Sequence, residues 1–162
     1  MISGRVWKFG DHVNTDLIIP GRYLDDYSLK NLAAHVMEDA DPDFPKKVRP
    51  GDIIVAGRNF GCGSSREQAP LALKHAGVSA VVAASFARIF YRNAINVALP
   101  VIICPEAVGL VENGTELRID MERGEMEVMG NGARIAFKPL PEFLIRILDE
   151  GGLVAFTRKK LQ

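Results

Sequence analysis

Three short apolar runs constrain this chain most. Ile53-Ile54-Val55-Ala56, Val78 to Ala83 and Val101-Ile102-Ile103 each carry the bulk of a strand buried on both faces. Between them lie two stretches with helical spacing, from Ser65 to Ala76 with a stop at Gly77, and from Ile89 to Val97. Strand–helix–strand–helix–strand with short links implies parallel strands joined by right-handed crossovers. The last third has another rhythm. Thr115 to Ile119, Glu125 to Met129 and Ala133 to Phe137 alternate apolar and polar residues, with turns at Gly124 and Asn131-Gly132, as antiparallel strands do.

The flanks complete the outline. Gly4 to Phe9 reads as a further strand. Ser28 is placed to cap a helix through Leu29, Leu32, Val36 and Met37. Asp41 to Pro45 reads as a loop, and Pro141 opens a final helix ended by Gly151-Gly152. The expected fold class is α/β: a parallel α/β core with an added antiparallel strand layer, in a single domain over residues 1–162. At 48% hydrophobic and 25% charged residues, such a core needs no disulfide.

Charge and cysteine usage exclude several roles. Basic and acidic residues number 20 each and form no stripe, so nucleic acid is not an expected partner. No apolar run approaches the ~18 residues of a membrane span. Met1 to Trp7 lacks the apolar core of a signal peptide, so the expected compartment is the cytoplasm. Cys62, Cys104 and three scattered histidines do not make the four-ligand set of a structural zinc or an iron–sulfur cluster. No metal or cofactor is expected to be held by this chain alone.

The chemistry is concentrated in Gly57-Arg58-Asn59-Phe60-Gly61-Cys62-Gly63-Ser64-Ser65-Arg66-Glu67, between a buried strand and a helix. Glycines and unpaired N–H groups in such a place suit an anion. A P-loop would need Gly-Lys-Ser/Thr, and there is no lysine here. A dinucleotide fingerprint would need glycine where Arg66 stands and an acid after the second strand, which ends in Ala83-Ala84-Ser85. A stand-alone anion- or nucleotide-binding module stays open on these residues. So does a bare capping box, Ser64 with Glu67 or Ser65 with Gln68. If Ser65 is the cap, the Ser64 hydroxyl is free to face a ligand.

The full string Asn59-Phe60-Gly61-Cys62-Gly63-Ser64-Ser65-Arg66-Glu67 resembles the signature of the aconitase superfamily's swivelling domain. Val6 to Gly10 with Asn14-Thr15-Asp16 is similar to the family's opening. Val48 to Asp52 precedes the signature as in relatives, and Ser85 to Asn96 is similar to the second block. The likeness runs from about Gly4 to Phe156. It implies a swivelling β/β/α three-layer domain working as the small subunit of a two-chain hydro-lyase, most like the isopropylmalate type. Such an enzyme interconverts 2- and 3-isopropylmalate by dehydration and rehydration, a step of leucine biosynthesis. Related small subunits serve dimethylmalate, citramalate/citraconate or homoaconitate.

The resemblance also implies roles. Ser64 matches the serine whose alkoxide removes the proton beside a carboxylate. Arg66 matches the arginine that grips a carboxylate of the small dicarboxylate substrate. Ser65 matches a neighbouring hydroxyl donor, and Asp16 an acid at the site edge. Tyr23, Leu24, Asp25 and Asp26 fall in the substrate-specificity loop. Homoaconitate types carry arginine after Tyr-Leu and isopropylmalate types an apolar residue, whereas this chain has Asp25. A [4Fe–4S] cluster would be held by cysteines of a large-subunit partner, in a heterodimer or heterotetramer. Where many relatives have His after Ser-Ser-Arg-Glu, this chain has Gln68. Cys62 reads as a small loop residue. Arg88 and Arg92, four apart on one helical face, read as an interface or an internal ion pair.

Overall fold

A computed structural model describes residues 1–161. The chain opens with β1 (Ile2–Lys8), then a helical turn α1 (Thr15–Ile18), α2 (Leu29–His35) and the short α3 (Phe44–Lys47). The middle third alternates β2 (Ile53–Ala56), α4 (Gln68–His75), β3 (Ala80–Ala83), α5 (Arg88–Asn96), β4 (Val101–Ile103) and α6 (Pro105–Leu110). The remainder is β5 (Glu116–Asp120), β6 (Glu125–Val128), β7 (Arg134–Ala136), α7 (Glu142–Asp149) and α8 (Leu153–Lys160).

The strands lie in the order β4-β3-β2-β1-β5-β6-β7. From β4 to β1 they are parallel, and from β1 to β7 antiparallel. β1 serves both halves because its two edges differ in partner: Val6 to Lys8 pair with β2, Ile2 to Arg5 with β5. Side chains alternate across the parallel strands. Ile54, Ala56, Val81, Ala83 and Val101 face the helices. Ile53, Val55, Ala80, Val82 and Ile102 face Leu117, Ile119, Met126, Val128 and Ile135 of the antiparallel strands. The sheet therefore curls over itself, and the layers stack as β/β/α. The turn glycines Gly124 and Gly132 take φ of +71° and +72°, which lets the antiparallel strands reverse tightly.

Several boundaries differ from the sequence reading, each for a local reason. α2 stops at His35 because Met37 takes φ +59° and gives its N–H to the Ile18 carbonyl at 2.7 Å. That turn puts Val36 and Met37 in the core. Phe44, expected in a loop, is fully buried at the start of α3 and meets Trp7 edge-on. α6 and α8 were not anticipated. α4 begins at Gln68, three residues later than expected.

One polar residue ties the start of the sheet together. Asp52 is buried, and its Oδ2 accepts from Trp7 Nε1 (2.9 Å), the Arg49 N–H (2.9 Å) and Arg5 Nη2 (3.3 Å). Asp52→Ala leaves the indole and amide donors without an acceptor. The expected loss is about 1–3 kcal/mol, read as a lower midpoint in urea unfolding. An unchanged midpoint would mean that water replaces the carboxylate at no cost.

Candidate active site

The loop after β2 is held between two neighbouring segments, as an irregular continuation of the sheet. On one side His12 N donates to Arg58 O (2.8 Å), Gly61 N to Val13 O (2.7 Å) and Thr15 N to Cys62 O (2.9 Å). On the other, Phe60 N donates to Ser85 O (3.0 Å) and Ala87 N to Phe60 O (2.9 Å). Asp11 fixes the start of the loop: its Oδ1 accepts from Arg58 N at 2.7 Å. That amide bond holds the Asp11 carboxyl below the usual carboxylate range. Phe60 is fully buried and packs edge-on against Phe86 and Phe90.

These attachments displace the expected helix start. The N-cap of α4 is Glu67, which makes no side-chain cap bond. Ser64 and Ser65 lie before it, exposed, and cap nothing. Instead buried Thr15 donates its hydroxyl to the Ser64 carbonyl at 2.8 Å. Among the described residues, no backbone N–H from Gly63 to Gln68 donates to a protein acceptor. A row of free donors thus surrounds the two serines, the setting that favours a bound anion or a developing oxyanion.

Arg66 is anchored on one nitrogen. Its Nη1 lies 2.7 Å from Asp16 Oδ1 and donates to the Ile19 carbonyl at 3.1 Å. Nη2 and Nε have no protein partner among the described residues, so a two-pronged contact to a carboxylate remains available on that edge. The arginine side chain is 20% exposed and that of Asp16 65%, so the pair sits at the rim. Gly21 passes directly over the guanidinium. A Cβ there would lie 3.6 Å from Nη2.

Ser64, Ser65, Arg66 and Thr15 border a cavity of about 280 Å³. Its other wall is the start of α5, with Arg88 and Asn93 over Phe90. Two arginines and no carboxylate line it. Arg88 is the residue that sequence reasoning missed as part of the site. Neither Arg88 nor Arg92 forms an ion pair among the described residues, which removes the internal-pair reading. Their helical spacing gave no sign of which segments α5 would meet.

Tyr23, Leu24, Asp25 and Asp26, expected to form a substrate-specificity loop, are not among the residues lining this cavity. Tyr23 ends a 3-10 turn and stacks on His35 with centroids 3.7 Å apart. Arg22 grips Asp39 with both nitrogens, at 3.0 and 2.6 Å, and holds the Asp39 carboxyl low. Asp25 is exposed, and Asp26 turns back to accept from the Ser28 N–H at 2.9 Å. Gln68 is the first residue of α4.

Among the described residues, no group of three or more His, Cys, Asp or Glu side chains is gathered as metal ligands. Cys62 lies in the site loop, and Cys104 is buried among the strands on the other side of the sheet, its thiol pushed up by burial. This donor set does not fit an iron–sulfur cluster, which is held by several cysteine thiolates gathered at one place. No described helix is long and apolar enough to cross a membrane.

Comparison with known proteins agrees with this outline. The aconitase C-terminal domain family matches residues 9–106. The chain is 60% identical over 160 residues to 3-isopropylmalate dehydratase small subunit 2 of Archaeoglobus fulgidus, covering 96% of this chain and 94% of that one. It is 58% identical over 154 residues to the methanogen homoaconitase small subunit of Methanothermobacter thermautotrophicus, covering 95% and 89%. It is similar to the crystal structure of 3-isopropylmalate dehydratase from Methanocaldococcus jannaschii, with a TM-score of 0.94, 48% identity and coverage of 99% and 95%.

Proposed function

This chain belongs to the aconitase C-terminal domain family, and from that premise we propose that it is the small subunit of a 3-isopropylmalate dehydratase. It is a hydro-lyase subunit that works with a large subunit to interconvert 2- and 3-isopropylmalate in leucine biosynthesis. The observation that carries this reading is the Ser64-Ser65-Arg66 corner, whose two serines are exposed and cap no helix, facing a cavity lined by arginine without acid. The whole chain acts as one swivelling domain, in the cytoplasm.

Each residue has a part set by its chemistry. Arg66 offers Nη2 and Nε to one substrate carboxylate, while Asp16 and the Ile19 carbonyl keep its plane fixed. Ser65 donates a hydroxyl to the same substrate. Ser64, as alkoxide, takes the proton from the carbon beside a carboxylate. The C–H electron pair becomes the alkene bond as hydroxide departs, and the reverse addition at the neighbouring carbon gives the isomer. An alkoxide is costly in water, and free N–H groups with a guanidinium beside it lower that cost. A [4Fe–4S] cluster on the large subunit would supply the Lewis acid for the departing hydroxide.

By the family resemblance, substrate choice rests on the loop after Pro20, whose residues do not line the cavity of this chain alone. A third carboxylate would need a free cation there. The position after Tyr23-Leu24 is Asp25, and Arg22 is already spent on Asp39. Two neighbouring acids would repel a tricarboxylate. These points favour isopropylmalate over homoaconitate, although one relative carries the homoaconitase name.

The test is reconstitution. The purified chain alone should contain no iron and show no turnover. Mixed with a cluster-loaded large subunit, it should act on isopropylmalate with higher kcat/KM than on dimethylmalate, citramalate or homoaconitate. Stoichiometric iron in the single chain would overturn the division of labour. A preference for homoaconitate would overturn the substrate.

A further inference from the structure

We infer that Arg88, at the start of α5, is a second substrate-binding residue, taking the carboxylate that Arg66 does not hold. This deepens the dicarboxylate reading above and rests on it. Charge balance within the cavity leads there. Arg66 is paired with Asp16 at 2.7 Å, so the two together contribute no net charge. A substrate with two carboxylates needs further positive charge in the same space. Arg88 is the other charged residue lining the cavity, on the wall opposite the serine corner.

Its surroundings leave it free for this task. Arg88 is exposed, and among the described residues its guanidinium has no ion pair and no hydrogen bond. Asn93, one and a half turns on, lines the same cavity with an unpartnered amide that could take a remaining carboxylate oxygen. The backbone beneath Arg88 is fixed. Ala87 N donates to Phe60 O at 2.9 Å, and Phe90 is locked between Phe60 and Phe86. The first turn of α5 is thus tied to the loop that presents Ser64 and Arg66, so two carboxylate contacts can be kept at a constant separation. Arg92, one turn along on the exposed face, is not among the lining residues and offers the matched control.

The experiment compares diacid with half-ester on the assembled enzyme. Binding of 2-isopropylmalate and of its monomethyl ester is measured by calorimetry, beside turnover of the diacid. For Arg88→Gln the preference for diacid over monoester should collapse by about tenfold to a hundredfold, the worth of one charge-assisted contact. KM should rise by a similar factor while kcat changes little, and Arg88→Lys should recover part of the loss. Arg92→Gln should match wild type. An unchanged diacid preference in Arg88→Gln would overturn the inference. So would an equal loss for both ligands together with weaker subunit association, which would make Arg88 an interface residue. If the wild-type pair fails to turn over isopropylmalate, the functional reading falls. If isopropylmalate binds without turnover, the diacid-to-monoester ratio still decides the Arg88 inference, and if it does not bind at all the inference falls with that reading.

Discussion

Ser64→Ala should lower kcat of the reconstituted enzyme by about a hundredfold to ten-thousandfold, the usual worth of a positioned general base. The fold should hardly notice. A serine that caps a helix costs about 0.5–2 kcal/mol when removed. Ser64 is not such a serine, because α4 starts at Gln68 and its N-cap is Glu67. What the protein uses of Ser64 is its backbone carbonyl, which accepts from Thr15, and alanine keeps that carbonyl. An exposed hydroxyl with no protein partner should change stability by no more than about 0.5 kcal/mol. Loss of turnover with an unchanged unfolding midpoint separates catalysis from capping. Near-normal kcat would remove Ser64 from the mechanism. Ser65→Ala should have the smaller effect of a lost donor. Arg66→Lys should raise KM, since an ammonium cannot present two parallel donors.

The sheet was legible in the sequence because its signals are local. Four apolar residues in a row at Ile53–Ala56 mean burial on both faces, and those residues are buried on both faces. Alternation at Glu116–Asp120 means one buried face, and Leu117 and Ile119 face inward. The capping pattern Ser-x-x-Glu is equally local, yet it misplaced the start of α4. There the tertiary contacts win. Three backbone bonds to residues 12–15 and one hydroxyl bond from Thr15 hold residues 58–64 in irregular extended form, and a helix turn cannot form until the chain is released after Arg66. α8 was missed because Gly151-Gly152 reads as an ending. The pair does end α7, with Gly151 N donating to Leu148 O and Gly152 N to Ile147 O, but Gly152 is also a close approach: its Cβ would lie 2.4 Å from the Asn96 carbonyl oxygen, and the chain resumes as helix beside α5.

The candidate site was half legible for the same reason. Ser64, Ser65 and Arg66 are contiguous, so a string can reveal them. Asp16 lies fifty residues earlier, and its motif Asn14-Thr15-Asp16 carried it into view. Its pairing with Arg66 depends on the bridge between Asn14 and Cys62. Arg88 lies in the Ser85 to Asn96 block, but nothing in that string marks it as lining the cavity. Only the packing of Phe90 under the loop brings it to the cavity. A reading of spacing along one helix could see that Arg88 and Arg92 share a face, but not that the first meets the site and the second does not.

That same packing makes Gly61→Ala a damaging change in the site loop. Gly61 has φ +83°, and a Cβ there would sit 2.2 Å from Phe90 Cγ and 2.4 Å from Phe90 Cβ. A side chain in the left-handed region costs roughly 1–2 kcal/mol. Forcing apart a packed contact costs about 1–3 kcal/mol more. Phe90 cannot swing away cheaply, because it is buried with Phe60 at 5.2 Å and Phe86 at 6.2 Å. The sum, roughly 2–5 kcal/mol, is a large part of the about 5–15 kcal/mol that holds an ordinary domain together. The strain falls between the loop that presents Ser64 and the helix that presents Arg88. Turnover should therefore fall along with the unfolding midpoint, even at temperatures where the variant remains folded. Gly109→Ala supplies the contrast. Gly109 lies within α6 with open space around its would-be Cβ, and alanine there should stabilise by about 0.4–1 kcal/mol through the unfolded chain. If the two alanine variants showed equal midpoints and equal kcat, the Gly61–Phe90 contact would not be what sets the distance between the two walls of the site.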